Sequence, residues 1–425
     1  MSLAGSQQKI FLRLIAALRP HWRQDAGLPN RIQGLFAANR SFGSRDRKLY
    51  RELIYTTLRF LPWIEPLLDK DSARATQVTA WLAADLPATR SFRSATCVDW
   101  PPCPPTLAAK AAYLNADSAA LLPAWVVRHC PAAATPAELE ALHTRAAVWL
   151  RVAAADLPTV VAEFTALSWT VQASPALPTA LELRTDADVT KTKAWSQGLI
   201  EVQDLGSQLI LESSGIAPGG RWLDACAGAG GKTLQLAGLL GASGRIDAHD
   251  IRPVALNELR IRAARAGLTV TPAPTDVAAP VAIVPPRPAP LPAAPIAIVA
   301  SPSGLYDGVL VDAPCSGSGT WRRSPHLKWT TSTGQITHAS ITQRALLDQF
   351  SPSVRPGGVL IYATCSLSRF ENEDAVNDFL GAHPEFSAEP PARRFDFPIE
   401  PVGLSLRPVR HNTDWFFVAV LRRKA

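Results

Sequence analysis

An apolar run leads through a glycine-rich loop into a helical pattern in the stretch Leu223-Asp224-Ala225-Cys226-Ala227-Gly228-Ala229-Gly230-Gly231-Lys232-Thr233. This stretch is the strongest indication of the fold. Glycine is needed where the backbone adopts a positive φ or approaches a ligand closely. The spacing excludes a phosphate-cradling P-loop, which would need glycine at position 226, and a dinucleotide fingerprint from Gly228, which would need Gly or Ala at position 233. The loop therefore predicts a different ligand-binding turn, or else a tight turn without a ligand.

From Gly220 onward, strand-like apolar runs alternate with helical ones. Such alternation predicts an α/β fold, a doubly wound and mostly parallel Rossmann-like sheet in which the carboxyl ends of the strands face a ligand crevice. The strand-like runs are 222–225, 244–249, 308–311 and 358–363, and the helical runs are 231–240, 254–266 and 341–350.

Four acidic or thiol-bearing residues follow three of the predicted strands. Asp250 comes about 20 residues after the glycine loop, where doubly wound folds place a carboxylate that accepts hydrogen bonds from a ribose. Asp312 and Cys315 end the next apolar run, and Cys365 follows the run after that. Two thiols and a carboxylate at one edge of a sheet indicate covalent catalysis on a substrate carbon, although spacing alone does not say which thiol attacks. A packing role for either cysteine is the alternative.

The rest of the chain divides by composition. Residues 1–90 predict a helical domain, and 91–136 a Pro- and Ala-rich linker with one helix near Leu107 to His129. Residues 137–200 predict a small α+β subdomain, and 201–425 the catalytic domain with a proline-rich surface insertion at 271–303.

The 425-residue chain is 47% apolar, which is enough for several packed cores and excludes a disordered or fibrous protein. Its net charge of +7 is concentrated in residues 1–60, which hold eleven Lys and Arg against three acids. Clustered positive charge predicts a polyanion-binding surface, with a solvated helical face as the alternative. Arg322, Arg323, His326, Lys328 and Trp329 add further cations and a ring on which a base could stack.

Several sites and locations are not expected. The six cysteines are too few and too scattered for a disulfide framework, which predicts a cytoplasmic protein. Cys97, Cys103, His129 and Cys130 lack the paired spacing of a zinc site, so no metal is expected. The opening residues lack an uninterrupted apolar core, and prolines break the longest apolar tract, so neither a secretory signal nor a membrane span is expected.

Taken together, these motifs resemble the RNA cytosine carbon-5 methyltransferases of the Fmu/Sun/Nop family, and most closely its RsmB-like bacterial branch. The resemblance covers roughly residues 200 to 425. The N-terminal stretch with Arg45-Asp46-Arg47 resembles the NusB-like RNA-binding domain of that branch, and 137–200 corresponds to a small RNA-binding subdomain. The motifs are 224–233, 312–320 with Arg322-Arg323, 363–366 with Glu371-Asn372-Glu373, and 202–204 with Ser207-Gln208.

The resemblance implies roles for individual residues. Cys365 is the nucleophile that adds to carbon 6 of cytosine, Asp312 binds the ring edge, and Cys315 assists loss of the carbon-5 proton and release of the enzyme. The methyl donor is S-adenosyl-L-methionine, and the substrate is RNA, expected to be ribosomal and to be bound by a monomer. The residues implied around the cofactor are Cys226, Ala227, Gly228, Ala229, Gly230, Gly231, Lys232, Asp250, Asp276 and Asp312.

Two departures from the family pattern stand out. Ala229 replaces a proline of the glycine loop, and Trp415 stands where the family has glycine, which predicts altered substrate contacts nearby. Two other functions remain open at this point. One is a catalytically silent RNA-binding or ribosome-assembly factor, and the other is a methyltransferase acting on transfer RNA, DNA or a small molecule.

Overall fold

The structure, a computed structural model, describes residues 2–271 and 293–425. Asp276 and most of the predicted proline-rich insertion lie outside these residues. The chain divides into two compact units. A helical unit runs up to Ala146 and includes Thr320–Thr333, and the second unit consists of Ala147–Gly319 and Gly334–Ala425.

The helical unit packs around the apolar faces of its first three helices. Phe11, Leu53 and Leu28, one from each helix, are fully buried in one core. The third helix begins at Ser44, where the side chain of Asp46 accepts a hydrogen bond from the backbone N–H of Gly43 at 3.1 Å. The helices are α1 (Leu3–Leu18), α2 (Leu28–Ala38), α3 (Ser44–Arg59), α4 (Leu61–Lys70), α5 (Ser72–Leu82), α6 (Arg90–Thr96), α7 (Leu107–Leu114), α8 (Trp125–His129) and α9 (Pro136–Leu142).

Residues 91–136, which the sequence predicts to be a linker, are folded into this helical unit. They contain α7, α8 and most of α6, and they bury Phe92, Leu121 and Val126. The prolines do not prevent this, because Pro131 and Pro136 stand at the starts of helical turns, where a missing N–H costs nothing. The linker prediction is therefore wrong for this stretch.

The segment Thr320–Thr333, which contains α15 (Leu327–Thr330), corrects a second expectation. Arg322, His326 and Lys328 are buried, and their side chains bond to backbone carbonyls of the helical unit; Lys328 also contacts the ring of His143 at 2.8 Å. The indole N–H of Trp329 donates to the carbonyl of Leu58. Most of these side chains hold the segment in place and do not form an exposed surface for a polynucleotide, although Arg323 is exposed.

The second unit contains a small antiparallel sheet of strand order β2-β3-β1-β4, with α10 and α11. Its core includes Leu150, Phe164 and Leu181. The elements are β1 (Val148–Val152), α10 (Leu157–Ala166), β2 (Val171–Ala173), β3 (Ala180–Leu183), α11 (Lys193–Ser196) and β4 (Ile200–Val202).

The large sheet of the same unit has the order β12-β13-β14-β10-β9-β5-β6-β8-β7, with β11 paired to β14. Strands β10, β9, β5, β6, β8 and β7 are parallel, and the remaining pairings are antiparallel. The predicted fold class, a doubly wound and mostly parallel Rossmann-like sheet, is confirmed. The elements are α12 (Leu205–Ser213), β5 (Gly220–Asp224), α13 (Gly231–Leu240), β6 (Gly244–Ala248), α14 (Pro253–Arg265), β7 (Val270–Thr271), β8 (Ile296–Ile298), β9 (Tyr306–Asp312), α16 (Thr333–Phe350), β10 (Val354–Thr364), α17 (Glu373–Ala382), β11 (Phe386–Glu389), β12 (Ile399–Glu400), β13 (Gly403–Leu406), α18 (Pro408–His411) and β14 (Phe416–Arg423).

The end of the predicted insertion is part of the sheet. Ala294, Ile296 and Ile298 are buried, and β8 pairs with both β6 and β7. Residues 294–298 therefore belong to the core and the sheet and not to a surface insertion. After β8 the chain crosses to the other side of β5 to form β9, so the strand order reverses between β5 and β9. Open α/β sheets bind their ligands at such a reversal.

Candidate active site

The candidate active site lies at the carboxyl ends of the two adjacent parallel strands β9 and β10, where Asp312 pairs with Ala363. Cys315 follows the first of these strands by three residues and Cys365 follows the second directly. Because the strands are parallel and in register, both cysteines leave the sheet at the same edge.

The two cysteine sulfurs are 3.3 Å apart, and both residues are partly exposed. The sulfurs are therefore in hydrogen-bonding contact and not joined by a disulfide. The contact with Cys365, reinforced by burial, raises the pKa of the Cys315 thiol well above its ordinary value. The structure thus brings together the two thiols that the sequence predicts at one edge of the sheet.

A buried carboxylate, that of Glu371, links the two loops that carry the cysteines. Its oxygens accept from the N–H of Ser316 at 2.8 Å and the hydroxyl of Ser316 at 2.6 Å, and also from the hydroxyl of Ser366. The amide of Gln343 donates to it at 3.1 Å. Sequence reasoning noted Glu371 only as part of a motif. Its place six residues after Cys365 is the sequence feature that could have indicated that its carboxylate lies near the cysteines.

Asp312 forms an ion pair with Lys232, whose ammonium lies 2.7 Å from Asp312 Oδ2. Lys232 is mostly buried, whereas a third of the Asp312 side chain is exposed. The strand-end carboxylate and the lysine of the glycine loop, 80 residues apart in sequence, therefore meet at the same site.

The glycine loop turns with positive φ at Gly228 (53°) and at Gly230 (85°). A Cβ at Gly230 would lie 2.8 Å from Cγ of Leu259, so neither the backbone conformation nor the packing admits a side chain. Helix α13 then begins at Gly231. The two glycines are thus required by conformation, as the sequence pattern indicates.

Asp250 holds this loop from the next strand. Its carboxylate accepts from the N–H of Gly228 at 2.8 Å and from the backbone and guanidinium of Arg252 at 2.9 Å. Although burial acts to raise the pKa of Asp250, these hydrogen bonds hold it below its ordinary value, so the group stays ionised. The guanidinium of Arg252 is itself largely exposed.

Asp224, at the end of β5, lies beneath the loop and is almost fully buried. The hydroxyl of Thr233 donates to it at 2.7 Å. Burial nevertheless raises the pKa of Asp224 to about 7. Burial also raises the pKa of the Cys226 thiol, which makes Cys226 a poor nucleophile.

The glycine loop, Asp250 and Asp312 line a cavity of about 460 Å³. Neither catalytic cysteine candidate lines it, but Pro314, the neighbour of Cys315, does. Gly230 shapes the loop without lining the cavity, and Asp276 lies outside the described residues. The predicted cofactor residues that line it are Cys226, Ala227, Gly228, Ala229, Gly231, Lys232, Asp250 and Asp312.

Trp415, expected to alter substrate contacts, is buried with its ring 5.4 Å from the guanidinium of Arg407. Its backbone N–H donates to the carbonyl of Gly319 at 3.0 Å, and Gly319 donates in turn to the carbonyl of Cys365. A Cβ at Gly319 would lie 2.1 Å from the carbonyl oxygen of Trp415. The backbone of Trp415 is therefore hydrogen-bonded to the loop that follows Cys315, which is bonded in turn to Cys365.

Within residues 2–271 and 293–425, no three or more His, Cys, Asp or Glu side chains are arranged to hold a metal ion. Across the same described part of the chain, each helix is too short or too polar to span a bilayer.

Comparison with known proteins shows that this chain is similar to methyltransferases. Residues 215–422 match the family described as 16S rRNA methyltransferase RsmB/F. That segment of the chain is therefore similar to this family, in agreement with the resemblance seen in the motifs.

Individual relatives agree with this assignment. The probable ribosomal RNA small subunit methyltransferase B of Synechocystis is 32% identical over 269 residues, which cover 60% of this chain and 55% of that protein. The chain thus spans about half the length of this curated relative. The match to the crystal structure of PH0851 covers 97% of this chain and 97% of that chain, with a TM-score of 0.69 and 22% sequence identity. NSun6 from Pyrococcus horikoshii, solved with SFG, covers 67% of this chain and 93% of its own, with a TM-score of 0.55 and 19% identity.

Proposed function

We propose that this protein transfers a methyl group from S-adenosyl-L-methionine to carbon 5 of a cytosine in RNA, through a covalent bond between Cys365 and carbon 6. The substrate we propose is small-subunit ribosomal RNA, bound by a monomer. The single observation that carries the proposal is the 3.3 Å contact between Cys315 and Cys365 beside the cavity of the glycine loop.

The residues around the cavity suit S-adenosyl-L-methionine. A volume of about 460 Å³ is in the range of small-molecule sites. The loop at Gly228 presents backbone to the cavity, and Asp250 offers a carboxylate to ribose hydroxyls, which it would accept in place of the exposed Arg252. NSun6 from Pyrococcus horikoshii was solved with SFG, an analogue of this cofactor. When bound, the cofactor supplies the methyl group.

The residues of the chain divide the remaining chemistry among them. The thiolate of Cys365 adds to carbon 6 of the cytosine, and the electron pair of the 5,6 double bond makes carbon 5 nucleophilic. Asp312 hydrogen-bonds the ring edge and stabilises charge at the ring nitrogen. After carbon 5 has gained the methyl group, Cys315 assists transfer of the carbon-5 proton to water. The electron pair of the broken C–H bond re-forms the 5,6 double bond, and the bond between carbon 6 and Cys365 breaks to release Cys365 as a thiolate.

The raised pKa of Cys315 supports this assignment of the two thiols. A thiol that keeps its proton is a poor nucleophile, because the thiolate is the attacking species. Cys315 is therefore the less suitable of the two for attack on carbon 6, and its contact with Cys365 supports a role for it at the neighbouring carbon that loses the proton.

The RNA substrate is supported by the relatives' names and by the charges of the helical unit. Three exposed arginines have neutral partners: Arg13 donates to Asn39, Arg45 to Ser91 and the carbonyl of Pro87, and Arg51 lies over the ring of Phe36. Their charges remain available to phosphates, which contribute most of non-specific nucleic-acid affinity. By contrast, the exposed arginines Arg23 and Arg31 are neutralised by Glu65 and Asp25.

A methylation assay tests the proposed function. Purified protein, S-adenosyl-L-methionine and unmodified small-subunit RNA are incubated, and 5-methylcytosine is mapped by bisulfite sequencing. We expect methylation at a discrete cytosine with the native protein and none with Cys365→Ser. Calorimetry with the cofactor runs in parallel. Cofactor binding without methylation of ribosomal RNA, transfer RNA or DNA, or no cofactor binding at all, would contradict the proposal.

The charge pattern provides a second test of the RNA substrate. The double variant Arg45→Gln/Arg51→Gln removes cations with neutral partners, and Arg23→Gln/Arg31→Gln removes cations already paired with acids. We expect the first to weaken RNA binding and to reduce the salt dependence of the affinity by about one to two charges. Equal effects of both variants would refute RNA recognition by these particular arginines.

A further inference from the structure

We propose that Glu371 is a positioning residue that fixes the distance between Cys315 and Cys365 by holding their two loops to one carboxylate. The catalytic consequence of this inference rests on the proposed function, whereas the structural part does not. Glu371 does not line the cavity, and its side chain accepts hydrogen bonds from the residues next to the two cysteines, through which we infer that it acts.

The contacts of Glu371 reach the residue after each cysteine. Ser316 donates to it with both its backbone N–H and its hydroxyl, and Ser366 donates with its hydroxyl. Cys315 and Cys365 lie on different loops, 50 residues apart in sequence. Because each serine is adjacent to one cysteine, a shift of either serine carries the neighbouring sulfur with it.

The environment of Glu371 makes this link rigid. The side chain is completely buried, and a buried polar group is costly to leave without its hydrogen-bond partners. Gln343 donates to the carboxylate and also to the carbonyl of Pro314, so helix α16 holds the Cys315 loop from a second side. A buried carboxylate with four donors is satisfied in one arrangement only, which fixes the loops to it.

Neighbouring hydrogen bonds keep the two loops aligned but carry no charge. The hydroxyl of Ser318 contacts that of Ser366 at 3.2 Å and accepts from the N–H of Leu367 at 2.9 Å. The N–H of Gly319 donates to the carbonyl of Cys365 at 2.9 Å. These contacts should keep the fold intact when Glu371 is changed, whereas the separation of the sulfurs should become variable.

The expected effect on catalysis follows from the need for both thiols at one ring. If the sulfurs no longer keep their separation, Cys365 can still approach carbon 6, but Cys315 is no longer held beside carbon 5. A misplacement of about 1 Å in a catalytic group reduces the rate about a hundredfold. We therefore expect Glu371→Gln to lower kcat by about a hundredfold while KM for RNA and for S-adenosyl-L-methionine stays within about threefold.

Formation of a disulfide between Cys315 and Cys365 measures their separation without using activity. Diamide takes two electrons and two protons from the two thiols, which join as a disulfide while diamide is reduced to the hydrazine. The full-length native protein, Glu371→Gln and the matched control Glu373→Gln are treated with limiting diamide, and the cross-linked peptide is quantified by mass spectrometry. Glu373 follows in the same segment, at the start of α17, and its carboxylate is not bonded to the serines of either loop.

We expect Glu371→Gln to slow the cross-link about tenfold, because disulfide geometry is specific, and Glu373→Gln to change it less than twofold. Ser366→Ala, which removes one donor from the Cys365 loop, serves if Glu371→Gln does not fold, and it should slow the cross-link by a smaller factor. An unchanged cross-linking rate in these variants would overturn the inference, even if the melting temperature falls. Slower cross-linking in a protein whose native form methylates no RNA would support the positioning role and reject the proposed function instead.

Discussion

The glycine loop and the cysteine pair occupy the same edge of one sheet but are held by different kinds of contact. At Gly228 and Gly230 the backbone conformation itself determines the shape, with positive φ at both positions. At Cys315 and Cys365 the shape depends on side chains, because serine hydroxyls and one buried carboxylate connect two separate loops.

This difference indicates which substitutions each part of the site should tolerate. A loop defined by backbone conformation should fail when a glycine gains a side chain and should accept other substitutions that keep the conformation. A pair defined by side-chain hydrogen bonds should keep its fold but lose its geometry when one partner is removed. Substitutions on the two sides of the site should therefore separate stability and cofactor binding from the chemical step.

The largest effect is expected from Gly230→Ala. The backbone at residue 230 has a positive φ in the left-handed region, and the new methyl group would lie 2.8 Å from Cγ of Leu259. We therefore expect the free energy of unfolding to fall by about 2–5 kcal/mol. Cofactor binding measured by calorimetry should be lost with it.

Gly238→Ala is the matched control on the same helix, α13. A Cβ there has no heavy atom within 4 Å, and its φ is helical, so the variant should gain about 0.5–1 kcal/mol in urea unfolding. Equal stability of the two alanine variants would show that backbone conformation does not define the loop.

The second effect concerns the pH dependence caused by Asp224. Burial raises its pKa in the folded state to about 7, from an ordinary value of 3.8, so the folded protein binds this proton more tightly than the unfolded chain does. The stability that this proton contributes is present below about pH 4 and is lost as the pH rises to about 7. Asp224→Asn, which cannot ionise, should therefore gain on the order of a few kcal/mol relative to the native protein between pH 5 and pH 8.

Urea unfolding of both proteins at several pH values checks this expectation. Thr233 can still donate to the amide oxygen, so the comparison isolates the charge. A difference in stability that stays constant from pH 5 to pH 8 would contradict the raised pKa.

A smaller effect is expected from Asp250→Asn. The amide nitrogen cannot accept from Gly228 or Arg252, so the loop loses bonds that fix it before the cofactor binds. We expect the affinity for S-adenosyl-L-methionine to fall about tenfold, which corresponds to about 1.4 kcal/mol. Asp378→Asn, which breaks an exposed ion pair with Arg344, should leave the affinity unchanged. If both variants bind alike, Asp250 has no role at the cavity.

The smallest effect is expected from Ser316→Ala on the cysteine side. The variant loses the hydroxyl that donates to Glu371 but keeps the backbone N–H that donates to the same carboxylate. We expect a reduction of about three- to fivefold in kcat, with cofactor affinity unchanged. A weaker affinity for the cofactor in this variant would show that the two sides of the site are not separable.

The parts of the molecule that the sequence predicts well are those set by local pattern. Helix α13 begins and ends where its apolar pattern does, and the strands that end at Asp224 and Asp312 follow their apolar runs. Helix α16 begins at Thr333, eight residues before its predicted start, because its polar first half lies outside the apolar pattern.

Features that depend on long-range contacts could not be predicted in the same way. The composition of 91–136 gives no sign that its short helices bury Phe92 and Leu121 in the helical unit. Likewise, Arg322 and Lys328 look like surface cations, but distant backbone carbonyls accept their hydrogen bonds and allow them to be buried. The role of Glu371 depends on two serines that are distant from each other in sequence.

The proposed roles of the two cysteines are tested most directly by incubating Cys315→Ser with cofactor and RNA. The protein–RNA products are separated under denaturing conditions, and the modified peptide is identified by mass spectrometry. We expect a stable covalent complex in which Cys365 carries the methylated cytosine, because Cys315, which assists release of the enzyme, has been removed. A complex that forms only with Cys365→Ser and is attached at Cys315, or the absence of any adduct from an active protein, would contradict it.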